Sequence, residues 1–482
     1  MFKENAEIAI GDEELDKIKA CIHCGICLSA CPTYLTTGNE GNSPRGRLYL
    51  IKDLIQGEVP ELDATGQEYL DNCLSCMACE TVCPSGVEYI QLLDYARHEK
   101  QESSYSKGFW GLVRKFSFAF LLDQRYLLNF GRIGLKVLNI FYKLFPFLPK
   151  LSKMQPSREI PYTKLEVNKL YPSAEKILDV PGENAGIGVC EQSRTVLFNL
   201  GCVMDTLYNS VHHDTIKVLN AAGYHVYVPA SGCCGALASH SGEFKIGEKQ
   251  TEKFIQAQCD ALNKLYKGID ENAEIEDGEP SHRQALEDFS NPIVFNSAGC
   301  GAHVKDKVYL DSLVVKDIAE LIDPNNWLAP ISLEAFKAKL TSLQGIDENA
   351  EIEDCAQSIK AVYHPACHLY HAQGLTTQYQ NLLALIPNLE LVPFLEAEVC
   401  CGSAGFYNLI KPQLAEPIGE RKAANIKKAG VDLVITANPG CMSQIEAHLG
   451  GGQDNENAEI GVHKQSHKVI HPMSLLAQCL RT

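Results

Sequence analysis

Basic residues are in short supply in this sequence. The 482-residue chain has 60 Asp and Glu against 43 Lys and Arg, which gives a formal net charge of −17. A large nucleic-acid footprint has to neutralise phosphates with an excess of cations, so this balance excludes nucleic acid as a partner. Long apolar runs are lacking too, and none reaches the roughly 20 residues that a spanning helix needs. The apolar stretch FSFAFLL at 116–122 is bounded by Lys115 and Asp123.

Motifs of secretion and of nucleotide binding are also lacking. The acidic N-terminal residues do not follow the basic-then-apolar pattern of a signal peptide, which predicts a cytoplasmic protein. No strand is followed by G-x-G-x-x-G, and the chain has no P-loop and no flavin fingerprint. What the chain does have is 20 cysteines. In a reducing compartment, clustered cysteines indicate metal or redox chemistry before they indicate disulfides.

Eight cysteines form two runs with the same spacing. CIHCGICLSACP begins at Cys21 and CLSCMACETVCP begins at Cys73, and both follow the pattern C-x2-C-x2-C-x3-C-P. In bacterial-type ferredoxins this spacing binds two [4Fe–4S] clusters, and the fourth cysteine of each run ligates the cluster of the other run. The predicted sets are therefore Cys21, Cys24, Cys27 and Cys83 for one cluster, and Cys73, Cys76, Cys79 and Cys31 for the second.

Zinc is the alternative for these two runs. Zinc also takes four thiolates, but its usual pattern is two separated CxxC pairs. A zinc-binding scaffold protein without a redox role is therefore the competing hypothesis from another functional class. The colour and the iron content of anaerobically purified protein would separate the two.

Two later segments of the chain repeat each other. RTVLFNLGC at 194–202 matches IKAVYHPAC at 359–367, each a strand pattern that ends in a cysteine. GYHVYVPASGCCGA at 223–236 corresponds to NLELVPFLEAEVCCGSAG at 388–405, and a third strand pattern follows each of them. Helical stretches separate these patterns, so each segment predicts a strand–helix–strand–helix–strand unit.

The cysteines of each repeated unit come just after its strands. Open α/β sheets place ligands in the loops beyond the carboxyl ends of parallel strands, so we expect the thiols of each unit to converge on one site. The predicted sets are Cys202, Cys233, Cys234 and Cys300 in the first unit, and Cys367, Cys400, Cys401 and Cys441 in the second.

A shorter repeat has a different meaning. GIDENAEIED occurs identically at 268–277 and 345–354, and ENAEI recurs at 4–8 and 456–460. The copies occupy unrelated positions in the two units, and one of them stretches the spacing from Cys234 to Cys300. We interpret them as surface insertions, because loops absorb extra length at small entropic cost.

As a whole the chain resembles the iron–sulfur subunit of glycolate oxidase, also called glycolate dehydrogenase. The resemblance rests on the double cysteine run, on SPRGRLYLIKDL at 43–54, on PSGVEY at 84–89 and on the two CCG repeats. It implies that a partner subunit with FAD oxidises glycolate to glyoxylate, and that this chain passes the electrons to a quinone or another acceptor. Iron–sulfur subunits of lactate utilisation complexes and of anaerobic glycerol-3-phosphate dehydrogenase have similar parts. An equivalent subunit for lactate or glycerol-3-phosphate is therefore the alternative.

The CCG repeats depart from the pattern of their relatives at one point. In heterodisulfide reductases the pattern ends in C-x-x-C and binds iron–sulfur clusters, whereas His303 and Gln444 replace the last cysteine here. Four thiols per repeat still suffice for one further iron–sulfur centre each, and the alternative is that they are buried packing thiols. Three histidines lie near the cysteines of the second unit, namely His364, His368 and His371. Either one of them is a metal ligand or a proton carrier, or they are hydrogen-bonded residues without a role in the chemistry. Four cysteines belong to none of these spacing patterns, namely Cys190, Cys259, Cys355 and Cys479.

Together these patterns predict an α+β fold in four parts. An N-terminal, mainly helical ferredoxin-type domain (1–105) is followed by a basic helical connector (106–190) and by two pseudo-repeated α/β CCG modules, module 1 (191–330) and module 2 (355–482). In the connector, residues 107–153 have nine Lys or Arg against one acid. Such a stretch either lies peripherally on the cytoplasmic face of an anionic membrane or packs against protein. For Arg45 and Arg47 the alternatives are a surface charge or a contact that tunes a cluster.

Overall fold

The computed structural model describes most of the chain outside the connector. The described residues are 12–56, 62–102, 163, 165–174, 194–267, 291–307, 313–341, 343, 358–450 and 467–480. The stretch 107–153 and all copies of the ENAEI repeat lie outside these ranges. Among the described residues, no helix is both long enough and apolar enough to cross a membrane.

Between residues 12 and 102 the described chain is helical and contains no strand, which confirms the mainly helical fold predicted there. Polar caps begin several of these helices, since the side chains of Ser43 and Asp63 accept hydrogen bonds from the backbone of α4 and α5. Leu48 and Ile51 of α4 pack against Leu92 of α7 in the core. The helices are α1 (Asp12–Lys19), α2 (Ile26–Ala30), α3 (Pro32–Thr37), a 3-10 turn (Glu40–Asn42), α4 (Pro44–Ile55), α5 (Ala64–Asp71), α6 (Ala78–Thr81) and α7 (Tyr89–Glu102).

Module 1 is built on a five-stranded sheet in the order β1-β3-β2-β4-β5. Strand β1 is antiparallel to its neighbour, and the other strands are parallel. The strands are β1 (Lys169–Tyr171), β2 (Thr195–Asn199), β3 (His225–Val228), β4 (Ile293–Phe295) and β5 (Val315–Asp317). The helices between β2 and β5 are α8 (Cys202–Leu207), α9 (Asn209–Ala221), α10 (Ala236–His240), α11 (Phe244–Lys267) and α12 (Ala298–Lys307).

A short set of elements links the two modules: α13 (Ile318–Leu321), β6 (Ile322–Asp323), β7 (Asn326–Trp327) and α14 (Leu333–Lys337). Module 2 then forms an all-parallel sheet in the order β11-β10-β8-β9. Its elements are β8 (Ile359–Tyr363), α15 (Cys367–Tyr370), α16 (Gln378–Leu383), β9 (Leu389–Leu391), α17 (Tyr407–Ile410), α18 (Pro412–Lys428), β10 (Leu433–Ile435), α19 (Pro439–Leu449), β11 (Lys468–Ile470) and α20 (Pro472–Cys479).

The strand orders confirm the pseudo-repeat. In both sheets the first parallel strand along the chain lies between the second and the third, and a fourth parallel strand follows the third at the edge. The sequence predicts the first three strands of each unit but not the fourth. It also does not predict β1, a strand within the range 106–190 that extends the sheet of module 1.

The two modules pack on one another. A single apolar core contains Val196 and Phe198 from the first sheet together with Val362 and Val434 from the second. Across this interface, the Ala298 N–H donates to the Ala437 carbonyl over 3.3 Å. The carboxyl ends of the strands from both modules therefore come close together.

Candidate metal centres

The backbone of the two N-terminal cysteine runs has the same conformation. His23 and Gly25 in the first run have positive φ angles of 54° and 82°. Ser75 and Met77, at the same offsets in the second run, have φ angles of 51° and 62°. A left-handed conformation costs a residue with a side chain of the order of 1–2 kcal/mol. Both runs have this left-handed conformation at matching positions, and it curves the backbone of each run around the space between its cysteines.

One cavity brings together the first predicted set of ligands. Cys21, Cys24, Cys27 and Cys83 all line it, and Arg45 lies at its edge. The Val87 N–H points at Cys83 Sγ over 3.5 Å, as a donor to a thiolate would. Burial, together with the neighbouring thiols of Cys21 and Cys31, raises the pKa of Cys27 to about 11. A cation would favour ionisation of this thiol, and the iron of a cluster would supply one.

The second predicted set is more deeply buried. Burial raises the pKa of the Cys79 thiol well above its usual value, and the nearby thiols of Cys76, Cys73 and Cys31 raise it further. The Ser75 N–H points at Cys73 Sγ over 3.4 Å. Four crowded thiols with a backbone donor match the requirements of a [4Fe–4S] cluster. Both N-terminal sets thus fit the group that their spacing predicts.

The two arginines of the PRGR segment lie in different environments. Arg47 is completely buried and is not a surface charge. Its guanidinium donates to the Tyr69 carbonyl over 2.6 Å and to Thr33 Oγ1 over 3.1 Å. Thr33 Oγ1 lies 3.2 Å from Cys31 Sγ, so Arg47 braces a candidate ligand of the second cluster. Arg45 is partly exposed and donates to the Glu40 carboxylate and to the His23 carbonyl in the first run.

We expect Arg47→Leu to lower the free energy of unfolding by about 2–4 kcal/mol, because it leaves a partly buried carbonyl and a buried hydroxyl without their donor. Arg45→Leu should cost about 1 kcal/mol or less, because its ion pair is exposed to solvent. Urea unfolding of the anaerobic protein, followed by circular dichroism, measures both. Equal losses of stability in the two variants would contradict the support of Cys31 by Arg47 through Thr33.

Arg97 is a site residue that the sequence analysis missed. It donates to Ser75 Oγ and to the carbonyls of Leu70 and Cys73 over 2.8–2.9 Å, which fixes the start of the second run. The sequence contained a sign of this role, because Arg97 comes four residues after Leu93 and therefore lies on the same, apolar face of α7. A cation at a core-facing position requires buried acceptors.

The four predicted thiols of module 1 lie together at the ends of the strands. Cys202 Sγ and Cys233 Sγ are 3.6 Å apart. Hydrogen bonds with the thiols of Cys233 and Cys300 raise the pKa of Cys234 well above its usual value. Gly235 allows the sharp turn after the pair with a φ of 91°, and its N–H points at Cys233 Sγ over 3.5 Å.

Module 2 repeats this arrangement. Hydrogen bonds from the thiols of Cys367 and Cys401 hold the pKa of Cys400 well below its usual value. The thiol of Cys401 is in turn hydrogen bonded to that of Cys441. Gly402 has a φ of 89°, and its N–H points at Cys400 Sγ over 3.5 Å. His364 is a fifth donor at this site, because one of its ring nitrogens lies within 4.8 Å of both Cys401 Sγ and Cys441 Sγ.

The thiols of both modules line one shared cavity of about 370 Å³. Cys73, Leu74 and Arg97 from the N-terminal domain complete its wall. On this side Cys76 packs in one apolar cluster with Cys367 and Cys400. The second N-terminal site and the module 2 site are therefore direct neighbours.

The residues that replace the last cysteine of each repeat are held by other side chains. Thr251 Oγ1 lies 3.0 Å from His303 Nε2, and Asn408 donates to Gln444 Oε1 over 2.9 Å. His371 is hydrogen bonded through both of its ring nitrogens, to Thr81 and to the Glu398 carbonyl.

Two of the four cysteines that fit no spacing pattern, Cys259 and Cys479, are described by the structure, and they do not join these groups. Cys479 is buried in α20, where its thiol donates to the Leu475 carbonyl over 3.3 Å. Cys259 lies half-buried in α11. Cys190 and Cys355 lie outside the described residues. The thiols that gather at the sites are those whose spacing predicted them.

Comparisons with known proteins agree with this architecture. A family model described as a 4Fe-4S dicluster domain matches residues 17–87. A second, described as a cysteine-rich domain, matches twice, at 196–305 and 361–446. The fold and the cysteine sites thus agree with the combination of a dicluster domain and a duplicated cysteine-rich domain that these two family models describe.

The full-length similarity is more specific. The glycolate oxidase iron–sulfur subunit of Escherichia coli is 28% identical over 446 residues, which cover 92% of this chain and 93% of that protein. A Bacillus subtilis protein named as a glycolate oxidase iron–sulfur subunit is 29% identical over 438 residues and 88% of each chain. Lactate utilization protein A of Shouchella clausii is 26% identical, over 52% of this chain and 88% of its own length. The resemblance to glycolate oxidase iron–sulfur subunits is confirmed.

Proposed function

We propose that this chain is the electron-transfer subunit of a glycolate dehydrogenase complex. A partner subunit with FAD oxidises glycolate to glyoxylate, and this chain accepts the electrons one at a time. The observation that carries the proposal is the continuous series of cysteine sites, which runs from the protein surface through the buried second site to the shared cavity. Iron–sulfur centres in such a series carry single electrons, while removal of a hydride from glycolate needs the flavin.

The first site is the proposed point of entry. Cys24 is exposed there. Ile22 and Ile26, which alternate with the cysteines of the first run, are 68% and 49% exposed. Large exposed apolar side chains next to a redox site are typical of a docking surface. The partner subunit would cover these isoleucines and bring its flavin close to the first cluster.

The shared cavity is the proposed point of exit. The thiols of both modules line it, so the centres of the CCG modules would be the last in the series. A quinone or another small acceptor would take the electrons from them beside this cavity. Peripheral contact with the cytoplasmic face of a membrane through 107–153 belongs to the same proposal, because it would bring a quinone close to this cavity.

The test is anaerobic reconstitution with the FAD-containing partner. On addition of glycolate, the broad visible absorbance of the iron–sulfur centres should bleach within the time of flavin reduction. Ile22→Glu should weaken the complex at least tenfold without loss of iron, because it places a charge in an apolar contact. Leu328→Glu is the matched control, since Leu328 is 48% exposed but follows β7 in the link between the two modules.

Two results would count against the proposal. A colourless, zinc-loaded protein would remove the redox role, and a reduced flavin that leaves the clusters oxidised would remove the coupling. Lactate is the second candidate donor, supported by the partial similarity to lactate utilization protein A. The coverage of about nine-tenths by the glycolate relatives favours glycolate. Rates of cluster reduction with glycolate, lactate and glycerol-3-phosphate, each with its own FAD partner, decide between the donors.

A further inference from the structure

His364 occupies a fixed and fully buried position at the end of β8. It follows Tyr363, the last residue of that strand, and its backbone N–H donates to the Ile435 carbonyl of β10 over 2.9 Å. Its exposed fraction is 0%. The ring is therefore held at the carboxyl end of the sheet, where the thiols of module 2 converge.

The hydrogen bonds of the ring settle its tautomer. His364 Nδ1 lies 2.9 Å from the Ala397 carbonyl oxygen, which also accepts from Lys422 Nζ over 3.1 Å. A carbonyl oxygen can only accept, so Nδ1 carries the proton and Nε2 keeps its lone pair. This arrangement of a ring N–H on a backbone carbonyl is the usual support of a metal-binding histidine.

Among the described residues, His364 Nε2 is buried without a hydrogen bond of normal geometry, and the ring interacts with the thiol of Cys441. An unsatisfied buried nitrogen is unfavourable unless a ligand uses its lone pair. The sulfur atoms of Cys401 and Cys441 lie within 4.8 Å of a ring nitrogen of His364, and Asn438 Nδ2 supports Cys441 Sγ over 3.6 Å. The unused lone pair thus lies among the candidate ligands.

The number of donors favours a cluster over a zinc ion. Cys367 and Cys400 complete the group, so module 2 offers four sulfurs and one nitrogen at the same site. A structural zinc ion takes four ligands. Iron–sulfur centres can combine cysteine with histidine ligands.

Module 1 has a different residue at the corresponding position. Asn199 is the last residue of β2, at the position of the repeat that His364 occupies directly after β8. The side-chain oxygen of Asn199 accepts hydrogen bonds from Ser231 Oγ over 3.0 Å and from Gln258 Nε2 over 2.7 Å. Protein donors occupy this oxygen, so it is not offered to a metal. The two repeats therefore differ in the donor that comes just after the first strand.

We propose that module 2 holds an iron–sulfur centre ligated by His364 Nε2 together with thiolates that include Cys401 and Cys441, while the centre of module 1 has thiolate ligands only. The inference rests on the proposed function in one respect, namely that the CCG modules contain iron. Histidine in place of cysteine raises the reduction potential of an iron–sulfur centre. The centre of module 2 then has the higher potential of the two.

The test uses pulsed electron paramagnetic resonance on the anaerobic full-length protein, grown with natural or with ¹⁵N-labelled histidine. We expect a strongly coupled nitrogen that changes with the label. His364→Cys should keep the iron, lose this coupling and lower the potential of one centre. His364→Asn, which copies Asn199, should lose the coupling and lower the potential of one centre, because module 2 is then left with thiolate ligands only, as in module 1. His371→Asn is the control for a nearby histidine whose ring nitrogens are already hydrogen bonded, and it should retain the coupling.

Coupling that persists in both His364 variants overturns the ligand assignment. So does an iron count of about eight per chain, which would mean that the N-terminal clusters alone are present. Unchanged iron and unchanged potentials in His364→Asn also overturn it. Failure of the proposed function looks different, because iron would then be missing from the N-terminal sites as well. Far-ultraviolet circular dichroism of each variant separates ligand loss from unfolding.

Discussion

Cys83→Ser is expected to remove the cluster of the first cysteine run and to leave the cluster of the second run in place. Cys83 belongs to the second run in sequence, yet it lines the same cavity as Cys21, Cys24 and Cys27. Iron should fall by about four per chain, because one cubane cluster is lost. Cys31→Ser should have the converse effect, since Cys31 is buried like Cys76 and raises the pKa of both Cys76 and Cys79 in the second group.

Double variants separate crossed from uncrossed ligation. With crossed ligation, Cys24→Ser combined with Cys83→Ser removes no more iron than either change alone, because both residues hold one cluster. Cys24→Ser combined with Cys31→Ser removes iron from both clusters. Uncrossed ligation reverses these two results. Iron and sulfide counts on anaerobically purified protein give the answer.

Gly235→Ala is the second change with a large expected effect. The added Cβ would lie 2.4 Å from the Gly247 carbonyl oxygen and 2.6 Å from Thr251 Oγ1, at a φ of +91°. The left-handed conformation costs about 1–2 kcal/mol and the forced contact about 1–3 kcal/mol. We therefore expect a loss of about 3 kcal/mol or more in the free energy of unfolding, and lower iron content in module 1.

Two further glycine variants test whether the loss of stability grows as the contact of the added Cβ becomes closer. Gly374→Ala, at a φ of +67° with nothing within 4 Å of the added Cβ, should cost only the backbone term of about 1–2 kcal/mol. Gly402→Ala should fall between the two, because its closest contact is the Ala415 carbonyl oxygen at 3.0 Å. Urea midpoints of the three variants measure the series. A loss for Gly235→Ala no larger than that for Gly374→Ala would show that the close contact is relieved by a backbone shift.

The sequence alone predicted the local features because short spacings determine them. The repeated run C-x2-C-x2-C-x3-C-P indicates how a backbone wraps a cluster. The strand patterns before Cys202 and Cys367 indicate which ends of the sheets carry thiols. Such inferences depend on residues within a few positions of one another, where periodicity and turn chemistry dominate.

Long-range packing could not be predicted in this way. Nothing in the spacing shows that Cys76 meets Cys400, or that one cavity serves both modules. Arg47 is buried against the Tyr69 carbonyl of another helix, so the sequence PRGR alone could not show whether this arginine lies at the surface or in the core. The histidine stretch of module 2 likewise did not indicate how each ring meets the sulfurs. His368 Nδ1 lies 3.5 Å from Cys367 Sγ, whereas His364 is held by the Ala397 carbonyl close to Cys401 and Cys441.

The wall of the shared cavity also has a consequence for biogenesis. Tyr407 donates its hydroxyl hydrogen to the Asn72 carbonyl over 3.0 Å, across 335 positions of the chain. The N-terminal domain emerges from the ribosome first, but this wall closes only when the last quarter of the polypeptide has been made. A cofactor held in this cavity would therefore be enclosed only after residues from both ends of the polypeptide have come together.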